Sequence, residues 1–191
     1  DLKQYVNMGF MDEIDGDKKG GWTDQGDNDL RHIPIGKQIF IGVPFEIIDP
    51  AKNNEKSCMV LKGIQRLYFP DKVEGININR KLAKLYFLHA TAWGSPTNEF
   101  LAGKYIINYE DGSNEEIKLM LNQNIADWWY PKDLDGAKVA WSKEHPNYPT
   151  RILGFHIMSW NNLNKNKKIK RIDMVSEGGP VLMLLAITGV Q

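Results

Sequence analysis

The chain has 191 residues, 42% of them hydrophobic, enough to bury the core of one β-sandwich or one mixed domain. Lys plus Arg and Asp plus Glu both number 24, so the net charge is zero. That excludes a long-range field for drawing nucleic acid or an anionic membrane surface, and it points to a neutral ligand. No apolar run reaches the roughly 20 residues that span a bilayer.

The chain begins at Asp1 without an initiator Met. It reads as a segment of a larger multidomain polypeptide, with residues 1–191 forming one β-sandwich domain. The amino-terminal stretch MDEIDGDKKGGWTDQGDND (11–29) has the composition of loops. Asp12, Glu13, Asp15 and Asp17 stand there among glycines, and calcium favours carboxylate and carbonyl oxygens from such a segment. An EF-hand loop does not fit. Aligning Asp15 and Asp17 with one puts Lys19 at a ligand position and Gly26 where a bidentate Glu belongs. A less regular calcium site built on Asp12, Asp15 and Asp17 is one expectation, and a solvated acidic turn is the other. In GGWTDQGDND, Gly20, Gly21 and Gly26 permit turns. Asp24, Asn28 and Asp29 can bond backbone groups and lock the way into the first long strand.

From there the chain breaks into short β-rich runs: 37–48, 57–63 (SCMVLKG), 75–79, 84–93, 104–109, 115–121, 137–141, 151–160, 168–175 and 180–188. Cys58 lies in the second run, where a lone thiol behaves as a small buried hydrophobe and no disulfide can form within the chain. KYIINY (104–109) sets Tyr105, Ile107 and Tyr109 against Ile106 and Asn108, and the next run sets Ile117, Leu119 and Leu121 on one face. Asp111-Gly112 between them supplies the positive φ of a tight hairpin. No long stretch keeps a 3.6-residue period, so helix should be scarce. PVLMLLAIT (180–188) is apolar on both faces, as befits a central strand covered by two layers. The basic run KNKKIKR (165–171) reads as a solvated strand edge. The pattern predicts an all-β fold, an antiparallel β-sandwich of the jelly-roll kind.

Few catalytic signatures are present. His32, His89, His145 and His156 lie in separate segments without metal-ligand spacing, and there is no nucleophile elbow, phosphate loop or dinucleotide fingerprint. Asp24 and Asp127, each close to a tryptophan, are the only pair offered for acid-base work on a glycan, and the favoured reading of both is that they bond nearby backbone N–H groups and fasten turns. The six tryptophans say more. In NIADWWYP (124–131), consecutive aromatics cannot all face a core if the segment is extended. A ring laid on the C–H face of a sugar, with Asp, Asn or Gln taking the hydroxyls, is a sound way to hold a neutral polar ligand. The candidate site has Trp128 or Trp129 as platform and Asn124 or Asp127 as hydroxyl partner, with Trp93, Trp22 and Gln25 as a second choice. Large core and rim residues are the competing reading of the same tryptophans.

The ordered strings GGWTDQGDNDL, FIGVPFEIIDP, SCMVLKG, LYFLHATAW, YIINYEDGS, NIADWW, VAW and PVLMLLAITG, covering Phe10 to Gly189, resemble a β-sandwich module appended to bacterial glycoside hydrolases. Its architecture is similar to the galactose-binding-domain-like jelly roll of many carbohydrate-binding modules. The resemblance implies a non-catalytic, secreted or cell-surface domain that holds an attached polysaccharide-degrading enzyme near glycans, often with a structural Ca2+. A sandwich that only braces its catalytic neighbour, or a glycan-active enzyme, are the alternatives, because fold alone does not establish function.

Overall fold

The computed structural model describes residues 1–191. Alternating apolar residues are gathered into eleven strands. In the first half of the chain these are β1 (Gly36–Phe40), β2 (Val43–Ile47), β3 (Met59–Leu61), β4 (Lys72–Arg80), β5 (Lys84–Ala92) and β6 (Leu101–Tyr109). In the second half they are β7 (Asn114–Met120), β8 (Ala137–His145), β9 (Tyr148–Asn161), β10 (Ile169–Ser176) and β11 (Val181–Val190). The only helical element is a 3₁₀ turn at Pro50–Lys52, capped by Asp49. Two antiparallel sheets, ordered β3-β11-β5-β9-β8 and β4-β10-β6-β7, form an all-β sandwich, and β1 and β2 make a separate hairpin.

Between the sheets, Phe87, Leu182, Leu184 and Met158 meet Tyr105, Ile107, Leu119, Ile172 and Met174. Phe87 stacks on Tyr105 with ring centroids 4.2 Å apart and planes 9° from parallel. The second face of the five-stranded sheet is also apolar, with Leu88, Ala90, Phe155, Val181, Met183 and Leu185. It is covered by Phe10, Trp22, Leu30 and Ile33 of the amino-terminal coil and by Phe40, Phe45 and Ile47 of the hairpin. These coil and hairpin residues make a third layer, which is why β11 is apolar on both sides.

The Asp111-Gly112 turn forms as its residues require. Gly112 sits at φ 88°, Tyr109 N–H donates to the Ser113 carbonyl, and the Asp111 carboxylate accepts from Ser113. Two expectations need correction. The run 37–48 is not one strand: Phe40 pairs with Val43 across a tight turn with Ile41 at φ 48° and Gly42 at φ 74°. A β-branched residue rarely takes that conformation, so the apolar string IFIGVPF hides the turn. Nor is the basic run a sheet edge, since β10 lies between β4 and β6. Ile169, Ile172 and Met174 face the core, while Lys167 and Lys168 pair with Asp111 at 2.8 Å and Glu110 at 3.0 Å in the neighbouring hairpin.

One irregularity positions the segment that carries Asp127 and Trp128. β5 and β9 pair from Lys84↔Asn161 to His89↔His156 and then separate. Ala126–Trp128 fills the gap: Thr91 N–H donates to the Ala126 carbonyl at 2.9 Å, Trp128 N–H to Thr91 at 2.8 Å, and Gly154 N–H to Trp128 at 2.8 Å.

Candidate functional site

Where this wedge leaves the sheet, Gln25, Asn28, Gln65, Trp93, Trp129 and Tyr130 line an open cleft of about 570 Å³ over Asp127 and Trp128. The size is that of a small-ligand site. A second cleft of about 510 Å³ lies among β2, β4 and β11, but no aromatic side chain lines it.

The tryptophans divide by depth. Trp22 is fully buried and meets Trp128 edge to face at 5.2 Å, and Trp128 itself is only 3% exposed. Neither offers a face on which a sugar could stack: Trp128 lies in the floor of the cleft and Trp22 packs against it out of reach. Trp129, half-buried, sits 5.5 Å above Trp128, and Tyr130 is 40% exposed. Trp93 is half-buried at φ 60°, with the Arg66 guanidinium 4.6 Å over its ring. Arg66 is held there by donating to the carbonyls of Thr23, Gln65 and Asp24.

Asp127 is buried at the bottom of the cleft. Its Oδ2 accepts from Gly94 N–H at 2.6 Å and its Oδ1 from Trp129 N–H at 2.8 Å, so the carboxylate ties the Trp93 loop to the Trp129 loop. Burial pushes its pKa up to about 6, against those two donors. Asn124 does not belong to the cleft. Its Oδ1 accepts from Met120 N–H and its Nδ2 donates to the Lys118 carbonyl, which spends both ends of the amide on its own turn. Gln25 does line the cleft, its Oε1 accepting from Asn28 Nδ2 at 3.2 Å. Asn28, Gln65 and Tyr130 are functional candidates that sequence reasoning missed. Asn28 and Tyr130 stood inside the strings GGWTDQGDND and NIADWWYP, whereas nothing in the GIQRLYF loop marks Gln65.

Among the acids, the group that converges is Asp12, Asp17 and Asp24, with ligand oxygens all within 4.8 Å of one another. Asp15 is exposed and outside it, because a turn at Lys18 (φ 65°), whose N–H donates to Asp24 Oδ1 at 3.0 Å, folds Asp24 inward instead. Burial, with the neighbouring charges of Asp24 and Asp17, raises the pKa of Asp12 above the usual carboxylate value, although Ile14 and Gly26 N–H groups donate to it. The one ion pair reaching the group is Arg66 Nε to Asp24 at 3.8 Å. An all-oxygen, under-neutralised donor set fits Ca2+ and suits zinc poorly.

No known family model matches the chain, and no curated protein matches it. The chemistry must therefore be read from the groups themselves. Asp24 and Asp127 have both oxygens engaged: Asp24 accepts from Lys18 N–H and from Tyr68 Oη–H at 2.7 Å, and Asp127 from Gly94 and Trp129. Each fastens loops. His89 and His156 stand opposite each other on β5 and β9; His89 also meets Tyr105 Oη through Nδ1 at 3.0 Å, whereas Nδ1 of His156 is buried without a partner. Each donates Nε2–H to a backbone carbonyl, of Asn124 at 3.0 Å and Lys132 at 2.9 Å. What the cleft offers a ligand is half-exposed aromatic faces and neutral amides.

Proposed function

We propose that this domain is a non-catalytic carbohydrate-binding module. The supporting observation is the meeting, in one open cleft, of Trp93, Trp129 and Tyr130 with the amides of Gln25, Asn28 and Gln65. Rings that take the apolar face of a pyranose and amides that take its hydroxyls are what a neutral glycan requires. The bracing reading accounts for Trp22 and Trp128, which are buried, but not for the exposure of Trp129 and Tyr130 in the cleft, where they keep accessible surface beside their partners His145 and Arg151. In this proposal the module is secreted or at the cell surface and keeps an attached polysaccharide-degrading catalytic domain close to its substrate. Its jelly-roll, galactose-binding-like kinship belongs to the same proposal. So does a structural Ca2+ held by Asp12, Asp17 and Asp24, which would draw the amino-terminal loop together beneath Gln25 and Asn28.

Titration of the folded protein with a panel of neutral oligosaccharides, followed by calorimetry and tryptophan fluorescence, tests the reading. Trp129→Ala should weaken binding by about 1–3 kcal/mol, the worth of one aromatic stack; because the ring also packs on Trp128 and His145, binding is compared on protein shown to remain folded. No binding by any panel member to folded wild-type protein would sink the proposal.

A further inference from the structure

We propose that His145, which does not itself line the cleft, is a positioning residue that fixes the hydrogen-bond polarity of the amide wall and releases that wall when its ring takes a second proton. The inference rests on the glycan-binding reading of the cleft for its purpose, though not for its geometry. His145 closes β8 and is 1% exposed. The backbone N–H of Asn147 donates to its Nδ1 at 3.1 Å, so Nδ1 must be the bare nitrogen of the neutral ring. The proton then sits on Nε2, which lies 2.9 Å from Asn28 Oδ1 and donates to it.

That bond sets the direction of the next. With its oxygen turned to the histidine, Asn28 points its amide nitrogen to Gln25 Oε1 at 3.2 Å. The Gln25 Nε2 group is left unclaimed by any of these bonds, and Gln25 and Asn28 both line the cleft. A chain running from Asn147 through His145 and Asn28 to Gln25 thus turns two amides of ambiguous polarity into a wall of N–H donors, suited to the lone pairs of sugar hydroxyls. The same imidazole backs the aromatic wall, meeting Trp129 at 5.3 Å and Tyr148 at 4.9 Å, both edge to face.

A second ring proton would place Nδ1–H against Asn147 N–H, donor facing donor, and the hairpin tip would have to give way. Asp27, which accepts from Asn147 Nδ2, and Asp29, which is paired with Arg31, favour the charged ring, while His32 opposes it. Burial outweighs the two acids and lowers the pKa of His145 below the usual value of 6.5. The wall is therefore intact at neutral pH and is lost as pH falls past that depressed value.

Long-range ¹⁵N–¹H NMR of the folded protein at neutral pH should show a protonated Nε2 and a bare Nδ1 on His145. The Asn28 and Gln25 side-chain amide signals should shift with the titration of that ring. The opposite tautomer, or amides indifferent to the ring, overturns the inference whatever the protein binds. In calorimetry with neutral β-glucan and xylan hexasaccharides, wild-type affinity should fall about tenfold on acidification, the share of a hydrogen bond or two. His145→Gln keeps a donor for Asn28 without titrating, so it should bind at neutral pH within about threefold of wild type. It should retain only the acid response owed to Asp127, whose pKa is raised to about 6. Equal acid losses in both proteins overturn the inference. Asn28→Asp, at a half-exposed site, keeps the acceptor for His145 but removes the donor to Gln25. It should raise the ring pKa and weaken neutral-pH binding about tenfold, and an unchanged ring pKa counts against the chain. If no hexasaccharide binds while the NMR results stand, the glycan reading fails and the polarity relay survives.

Discussion

Phe87, Tyr105, Leu182 and Met174 come from opposed strands whose period-two pattern carries them into the space between the sheets. On the outer face of the five-stranded sheet, Leu88, Phe155 and Met183 have the same origin, but the partners that cover them, Phe10, Trp22, Leu30 and Ile33, come from a coil with no period. The coil is held by polar fasteners rather than by a ladder. Asp29 accepts from Asp12 N–H at 2.8 Å and binds the Arg31 guanidinium through both oxygens, and Arg66 caps the carbonyls of Thr23 and Asp24. One core is strand against strand, whereas the other sets strands against a coil and the β1-β2 hairpin, and the cleft grows from the loops on that side. A rigid face with an adaptable cover is the usual division between scaffold and site.

The sharpest way to break this comparison is to cut each core separately. Phe87→Ala, which removes a fully buried ring stacked on Tyr105, should cost about 3–5 kcal/mol of unfolding free energy, measured by urea denaturation. The cleft's tryptophan response to oligosaccharide should be unchanged in the still-folded variant, and its loss there would mean that the two cores are one.

Acid separates them by sign. Burial lowers the pKa of His89 to about 3 and also lowers that of His156, both on the inter-sheet face and both ordinarily near 6.5. Their contribution is complete above pH 6.5. It is lost as pH falls from there towards 3, because the unfolded chain takes protons that the core refuses; for His89 alone the loss is roughly 4 kcal/mol. Asp127, raised to about 6, acts oppositely: the folded state takes its proton first, so that stability is present at low pH and fades as pH rises through about 6. Scanning calorimetry of Asp127→Asn, where this offset is gone, should show the midpoint falling steadily from about pH 7 to 4. A flat profile there removes the buried histidines from the account.

Calcium should touch only the outer layer. At about a hundredfold excess over its dissociation constant, Ca2+ should add roughly 3 kcal/mol, seen as a rise in the unfolding midpoint that EDTA reverses. Asp12→Asn should abolish the rise, and an equal response in that variant would remove Asp12, Asp17 and Asp24 as ligands.

How much could be read from the chain follows the same division. Strand residues were legible because alternation is a local property, as at Tyr105, Ile107 and Tyr109, and the Asp111-Gly112 turn carried its own chemistry. The Ile41-Gly42 turn was not legible, since its first residue is one that turns avoid. In the site, the segment NIADWWYP was legible as a place where aromatics must part company. Which ring goes in was not, because the depth of Trp128 depends on Trp22, a hundred positions away in a coil whose path no period announces. Asp24 displaced Asp15 for a similar reason: its inward turn depends on bonds to Lys18 and Tyr68 that only the folded loop supplies.

Ala126–Trp128 lies between two strands that pair with each other only as far as His89 and His156. It bonds Thr91 on one side and Gly154 on the other, so holding it in place closes long stretches of chain in both directions. Trp128 then seals Trp22 beneath it, and Asp127 draws in Gly94 and Trp129. The cleft is thereby tied to both strands at once: its floor is held by contacts between segments far apart in the chain rather than by any ladder of its own.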